Sequence, residues 1–235
     1  MKTEVMMRLN KFIAECGISS RRKAEELILQ GRITINNKTI TQLSYNVNPE
    51  VDEVFFDGER LKVENHVYYL LNKPKGVVTT TDDEKKRLAV TDLIKTNLKI
   101  FPIGRLDFNT TGVLLLTNDG DFAGKLIHPR NNIIREYEVR IDRELDFKDE
   151  QLLLNGVFIN NKRGKFISVL FKKKKDRKTI TVTCTEGRNH FVKEMFGALK
   201  YNVERLHRKS FAGIIDDIPV GSYRKLTKDE IRRLS

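Results

Sequence analysis

The sequence predicts an α+β protein of two domains, a small N-terminal α/β module followed by a larger domain built on a mixed sheet flanked by helices. Three observations predict it. Two stretches of helical apolar spacing in the first thirty or so residues are followed by two hairpin signals. From Val67 onward, β-rich apolar runs alternate with short amphipathic helices. A chain of 235 residues, 39% hydrophobic and 32% charged, is long enough for two soluble cores.

In chain order, Leu9, Phe12 and Ile13 stand at i, i+3 and i+4 of a first helix that Gly17 stops. Ser20 is placed to cap a second helix, where Ala24, Leu27 and Ile28 repeat the spacing and Gly31 supplies a left-handed stop. Residues 32–40 read as a hairpin turning at Asn36-Asn37, and 54–61 as another turning at Asp57-Gly58. These elements make a first domain over 6–62, with 63–66 a polar linker and 67–235 a second domain. In the second domain, 67–72, 136–141 and 203–207 read as strands, and 90–94, 121–127, 146–155 and 189–199 as helices. The β-rich runs 166–171 and 179–185 form a hairpin with a basic tip at 172–178, and Thr227 caps a C-terminal helix.

Forty-four basic against thirty-two acidic residues give a net charge of +12, which points to an anionic partner, most simply nucleic acid. Residues 1–38 carry +4 and 39–65 carry −4, so the excess lies in 66–235, where 162–178 holds nine bases against Asp176 alone. The larger domain should therefore carry nucleic-acid affinity of its own. No apolar run approaches the roughly 18 residues of a membrane span, and the N-terminus lacks a signal-peptide core, so a cytoplasmic protein off the membrane is expected. Cys16 and Cys184 are far apart, with no Cys-x-x-Cys and no His at ligand spacing, which supports neither a disulfide framework nor zinc. Asp119-Gly-Asp-Phe-Ala-Gly opens like a calcium loop, yet Ala123 and Arg130 occupy two ligand positions. Phosphate-loop and dinucleotide fingerprints are missing. No metal and no cofactor are expected.

The segment Gly104-Arg-Leu-Asp-Phe-Asn-Thr-Thr-Gly-Val-Leu-Leu-Leu-Thr-Asn sets one acid, Asp107, in a tight polar turn ahead of an apolar strand. Gly104 and Gly112 bracket the turn, Thr110 and Thr111 are placed to hydrogen-bond the backbone locally, and Val113 to Leu116 suit a buried strand. A carboxylate presented this way can act as a nucleophile. Taken alone, an Arg-x-Asp is more often a surface ion pair, here Arg105 with Asp107.

This segment resembles the signature of the pseudouridine synthases, and within them the ribosomal RNA enzymes that carry an N-terminal S4 RNA-binding domain. Leu71-Asn-Lys-Pro-Lys-Gly-Val resembles the family's first motif, Arg135-Glu-Tyr its tyrosine motif, and Thr185-Glu-Gly-Arg-Asn-His-Phe-Val-Lys-Glu-Met its last. All four motifs come in the family's order, and with the N-terminal helix pair and hairpin they cover nearly the whole chain. The resemblance implies an isomerase without a cofactor. It detaches uracil from its sugar, turns it, joins carbon 5 to the sugar and removes the carbon 5 proton. Asp107 would be the catalytic aspartate; attack on sugar or base and abstraction of a sugar proton to give a glycal both stay open.

By the same resemblance Tyr137 stacks on the target base and is a candidate for moving its proton, although alternation alone makes it strand packing. Lys193, by itself a solvated helix lysine, would pair with Asp107, and Val192 would line the base pocket. Arg105 and Thr110 shape the loop, with Arg105 reaching the nucleotide's neighbour, while Arg188 and Asn189 contact backbone or nucleotide. His190 is read as an RNA contact or a neutral hydrogen-bonder. Lys73 is structural or reaches phosphate. In the S4-like module Arg8, Lys11, Arg21, Arg22, Lys23 and Lys38 are the expected phosphate contacts. The implied partner is ribosomal RNA, large-subunit in preference to small-subunit, bound by a monomer with no obligate protein partner. The rival readings are a non-catalytic RNA-binding or ribosome-assembly factor and, more remotely, a metal-dependent nuclease.

Overall fold

The computed structural model describes residues 6–81, 83, 85–173 and 176–235, and the chain separates into two units, Met1–His66 and Val67–Ser235. The first unit runs β1 (Met7–Arg8), α1 (Leu9–Glu15), α2 (Arg21–Leu29), β2 (Ile33–Ile35), β3 (Lys38–Thr39), β4 (Asn46–Val47), β5 (Val54–Phe56) and β6 (Glu59–Arg60). Ser20 caps α2 by accepting from the Lys23 amide at 3.3 Å. Asn36 and Asn37 both have positive φ, which gives the β2–β3 turn the twist its strands need. The apolar faces of α1 and α2 close on Ile33, Ile35 and Val54 to form one core.

The second unit begins with β7 (Tyr68–Lys73), β8 (Phe101–Pro102), β9 (Thr111–Thr117), α3 (Gly120–Ile127), β10 (Arg135–Ile141) and α4 (Phe147–Asn155). It continues with β11 (Val157–Ile159), β12 (Lys162–Gly164), β13 (Ser168–Lys173), β14 (Asp176–Cys184) and α5 (Phe191–Ala198). It ends with β15 (Val203–Phe211), β16 (Ile214–Ile215), β17 (Tyr223–Lys225) and α6 (Lys228–Leu234). Among the described residues the main sheet has the order β13-β14-β10-β15-β9-β7-β17. Every neighbouring pair on that path is antiparallel except β9 with β15. The run Val113 to Leu116 is apolar without alternation because β9 is covered on both faces. Leu114 and Leu116 join one core, while Val113 and Leu115 join the other, with Leu70, Phe122 and Phe211.

Several elements differ from the sequence reading. Residues 90–94 form a single 3-10 turn, Val90–Leu93, too short to bury an amphipathic face. The strand expected at 203–207 extends to Phe211, because its second half pairs with β9 and β10. The β11–β12 hairpin, turning at Asn160-Asn161, and strands β8, β16 and β17 were not legible, being two or three residues each. In the basic tip, Lys174 and Lys175 lie outside the described residues.

The C-terminal helix is tied down electrostatically. Thr227 and Glu230 form a capping box, and Arg224 grips Glu230 with two bonds of 2.7 and 2.8 Å. The guanidinium holds the Glu230 carboxyl down to about 2, from 4.5. Since the folded pKa is the lower one, this contribution is complete above 4.5 and is lost as the pH falls through 2. With allowance for solvent at the edge of the pair it amounts to about 1–2 kcal/mol. Glu230→Gln should therefore remove that much stability at neutral pH and flatten the acid limb of the urea midpoint in that window. An unchanged acid limb in the variant would refute the assignment.

Candidate active site

Asp107 sits in the turn between β8 and β9, which closes through the Thr110 amide donating to the Asp107 carbonyl at 3.0 Å. Gly112 has φ +111°, and a Cβ there would fall on the backbone of Arg208, its partner across the parallel β9–β15 pair. Beneath the turn lies Lys73, with no exposed surface. Its Nζ donates to the carbonyls of Pro74 (3.0 Å), Asp107 (3.1 Å) and Thr110 (3.0 Å), so one ammonium gathers β7 and the catalytic turn. The expectation that Lys73 reaches phosphate is thereby corrected: β7 alternation points it inward, where carbonyl oxygens take all its donors. Burial lowers its pKa to about 8, with the Asp107 charge acting in the opposite sense.

The local threonine bonds expected in the turn do not form either. Thr110 Oγ1 is buried without a partner, and Thr111 Oγ1 meets His207 Nδ1 at 2.7 Å, with His207 Nε2 2.7 Å from Asp216. The strand pairing that sets His207 beside Thr111 overrides the local option.

The Asp107 carboxylate meets α5. Lys193 Nζ lies 2.5 Å from Oδ2 and His190 Nε2 3.2 Å from Oδ1. A surface pair with Arg105 is not what forms, since Arg105 reaches Asn189 Oδ1 at 3.4 Å instead. Helix α5 can hold Lys193 there because Phe191, Val192, Met195 and Phe196 are buried, with Phe191 edge-on to Phe166 at 5.8 Å. Glu194, outside this packing, accepts from Asn160 at 2.8 Å. His190 precedes the helix in the left-handed conformation, φ 55°, which turns its ring back toward the acid.

A cleft of about 560 Å³ opens beside Asp107, walled by Thr110, Tyr137, Val192, Arg188, Asn189 and Arg208. Tyr137 stands on β10 at a bulge against β15, between Glu136 and Tyr137, and bulges re-aim side chains. Arg188 is held by Glu186 at 2.5 Å and lies over the Phe191 ring. Asp107, Arg105 and His190 also border a second cleft of about 590 Å³, lined by Thr79, Lys85 and Arg87. The structure thus brings together Asp107, Tyr137, Lys193, Arg105, Thr110, Val192, Arg188 and Asn189. It also sets on the cleft His190, read as an RNA contact or a neutral hydrogen-bonder, and Arg135, the first residue of the tyrosine motif, and it adds Arg208, for which the sequence held no signal beyond strand alternation.

On the first unit Arg8, Arg21, Arg22, Lys23 and Lys38 are exposed. Lys23 pairs with Glu26 at 2.6 Å and Lys11 with Glu15 at 3.5 Å. Among the described residues no three His, Cys, Asp or Glu side chains are placed to hold a metal ion, and no helix is long and apolar enough to cross a membrane. Asp119, the first residue of the rejected calcium pattern, caps α3. Cys16 and Cys184 are free and buried, and burial pushes both thiols up to about 12.

A basic chain whose mixed sheet carries one lysine-bound carboxylate, facing a tyrosine across an arginine-walled cleft, has the makings of an enzyme that modifies nucleic acid. The chain belongs to the RNA pseudouridylate synthase family, whose model matches residues 67–198, and it carries an S4 domain matching 7–52. It is accordingly an isomerase of uridine to pseudouridine. It is 40% identical, over 97% of its length and 96% of the relative's, to ribosomal large subunit pseudouridine synthase B of Bacillus subtilis (strain 168). It is also 36% identical, over 97% and 93%, to an uncharacterized RNA pseudouridine synthase of Aquifex aeolicus (strain VF5). A crystal structure of a pseudouridylate synthase superposes with a TM-score of 0.71 at 31% identity, covering 97% of this chain and all of that one.

Proposed function

We propose that the protein isomerises one uridine of ribosomal RNA, of the large subunit in preference to the small, with Asp107 as the catalytic carboxylate. The observation that carries this reading is the Lys193 ammonium 2.5 Å from Asp107 in a cleft shared with Tyr137. The lysine orients the acid, and a carboxylate held in one position suits either a nucleophile or a base. The target uridine is flipped into the cleft at a cost of a few kcal/mol, offset by stacking on Tyr137 beside Val192. Arg105, Thr110, Arg188 and Asn189 hold the nucleotide and its neighbours. The large-subunit preference is supported by the B. subtilis relative, a ribosomal large subunit pseudouridine synthase. A monomer acting in the cytoplasm is the working form that goes with this reading.

The test is tritium release from RNA labelled at uridine carbon 5, run separately on large-subunit and small-subunit transcripts. Release from the large-subunit transcript alone is expected. Release from the small-subunit transcript alone would overturn the preference, and release from neither, with binding retained, would favour the assembly-factor reading.

The S4 unit supplies affinity independent of the chemistry. In the full chain, Arg21→Ala, Arg22→Ala and Lys38→Ala together should weaken binding at low salt. They should also flatten the slope of log affinity against log salt by about two, since each lost phosphate contact removes roughly 0.7–0.9. The rate at saturating RNA should stay unchanged. An unaltered slope would remove these residues from the interface.

A further inference from the structure

The floor of the main cleft holds two buried cations without counter-ions. Arg135 and Arg208 are 8% and 3% exposed, and both line the cleft. They flank the ring of Phe211 at 5.2 and 4.8 Å. Arg135 donates to the carbonyls of Ile133 (2.7 Å) and Thr185 (2.6 Å), and Arg208 Nε donates to that of Val113 (2.7 Å). Neither forms an ion pair with a carboxylate among the described residues. Arg208 Nη2 is buried without any partner, as is Thr110 Oγ1 in the same cleft wall. Burial, reinforced by the charge of Arg208, pulls the Arg135 guanidinium below its usual range.

Such an arrangement is costly in an empty cleft, because a desolvated charge lacking a partner costs several kcal/mol. It becomes favourable when negative charge arrives. The position says which charge: Arg208 is the direct cross-strand partner of Tyr137 and lies next to Gly112 at the end of the catalytic turn. The arginines are too enclosed to admit a hydrated phosphodiester, whereas a flat base lying on Tyr137 can come close to them.

On the proposed function, the reaction itself generates an anion there. When the bond from the sugar to base nitrogen breaks, its electron pair leaves with the base. The sugar carbon is balanced by a new bond to Asp107 or by loss of a sugar proton to it. Uracil then carries one negative charge, spread over its ring and carbonyl oxygens, until carbon 5 bonds to the sugar, displacing the Asp107 carboxylate or drawing the sugar proton back from it, after which carbon 5 loses its proton and the nitrogen gains one. We propose that Arg208, backed by Arg135, stabilises the detached uracil anion, so that the cleft floor is an anion site for the departing base. The inference rests on the proposed function and concerns the charge left on the base, whereas Asp107 acts at the sugar.

The test compares Arg208→Met and Arg208→Lys with the wild type in single turnovers at saturating RNA. The target is either uridine or 5-fluorouridine, whose base bears negative charge more easily; because carbon 5 of the latter holds fluorine and has no proton to lose, conversion of both is read as disappearance of the N-linked nucleoside. Arg208→Met should slow uridine conversion about 10²-fold, the usual cost of removing one charge-stabilising donor. It should slow 5-fluorouridine conversion less than a tenth as much, with RNA affinity kept within about twofold, and Arg208→Lys should recover part of the loss. Equal slowing of both substrates would make Arg208 structural. Lost affinity with an unchanged saturated rate would make the floor a backbone-phosphate site; either result overturns the inference. A second measurement needs no variant: the wild type should bind 5-nitrouracil in its anionic form at least about tenfold more tightly than uracil, and equal binding would overturn it. Failure of the wild type to convert uridine in any ribosomal transcript would instead strike the functional reading itself.

Discussion

Asp107→Asn should abolish tritium release, slowing the reaction by on the order of 10⁴-fold or more, while RNA affinity stays within about 1 kcal/mol of the wild type. Asparagine fills the same space but can neither attack the sugar nor take a proton from it. The fold should tolerate the change. Lys193 loses its partner, yet its side chain is 35% exposed, so water can solvate the freed ammonium at little cost. The His190 ring, half exposed, is equally free to hydrate. Removing a negative charge from a cleft that receives RNA should if anything strengthen binding slightly. The outcome that would sink the assignment is a parallel fall in rate and affinity, which would make Asp107 a structural element of the turn.

The second large effect is expected at Lys73, through the scaffold. Lys73→Met keeps most of the side-chain volume and removes the ammonium that gathers the carbonyls of Pro74, Asp107 and Thr110. Each buried acceptor left without a donor costs about 1–3 kcal/mol, and of the three the Asp107 carbonyl keeps the Thr110 amide. Relief of the buried charge, whose pKa burial has lowered to about 8, offsets part of that. A net loss of about 2–4 kcal/mol in the larger domain follows. The rate should also drop about 10²-fold, because the backbone of Asp107 is then no longer fixed and small misplacements are costly. Urea unfolding monitored in the larger domain, together with tritium release, checks both halves. Wild-type stability with wild-type rate in the variant would show that the three carbonyls find water and that the turn needs no clamp.

The sequence determined the local decisions. Ser20, Asp146 and Thr227 could be placed as helix caps or helix starts because a cap depends on residues within three positions. Asn36-Asn37 and Asp57-Gly58 fixed their turns because few residue pairs accept positive φ there. The motif around Asp107 was visible for the same reason, its glycines and its apolar strand lying side by side in the chain. Strands of two or three residues escaped notice, since so short a run shows no period.

What acts on Asp107 was decided by tertiary structure. Lys193 is 86 positions away along the chain, and only the packing of α5 onto β11 and β15 brings it to the carboxylate. By spacing alone Arg105, two residues from Asp107, was the nearer partner, yet it points to Asn189, and Lys193 was expected only through the family resemblance. Whether Lys73 faced phosphate or the inside of the turn depended on the register of β7 against β9, which sets Lys73 opposite Gly112, and a slip of one residue would have reversed its face. The same holds for Arg208, whose lack of a counter-ion among the described residues is a property of β10, β15 and β9 lying side by side. Sequence carries identity and local conformation, whereas charge pairing across a sheet depends on strand order and register, which no single segment encodes.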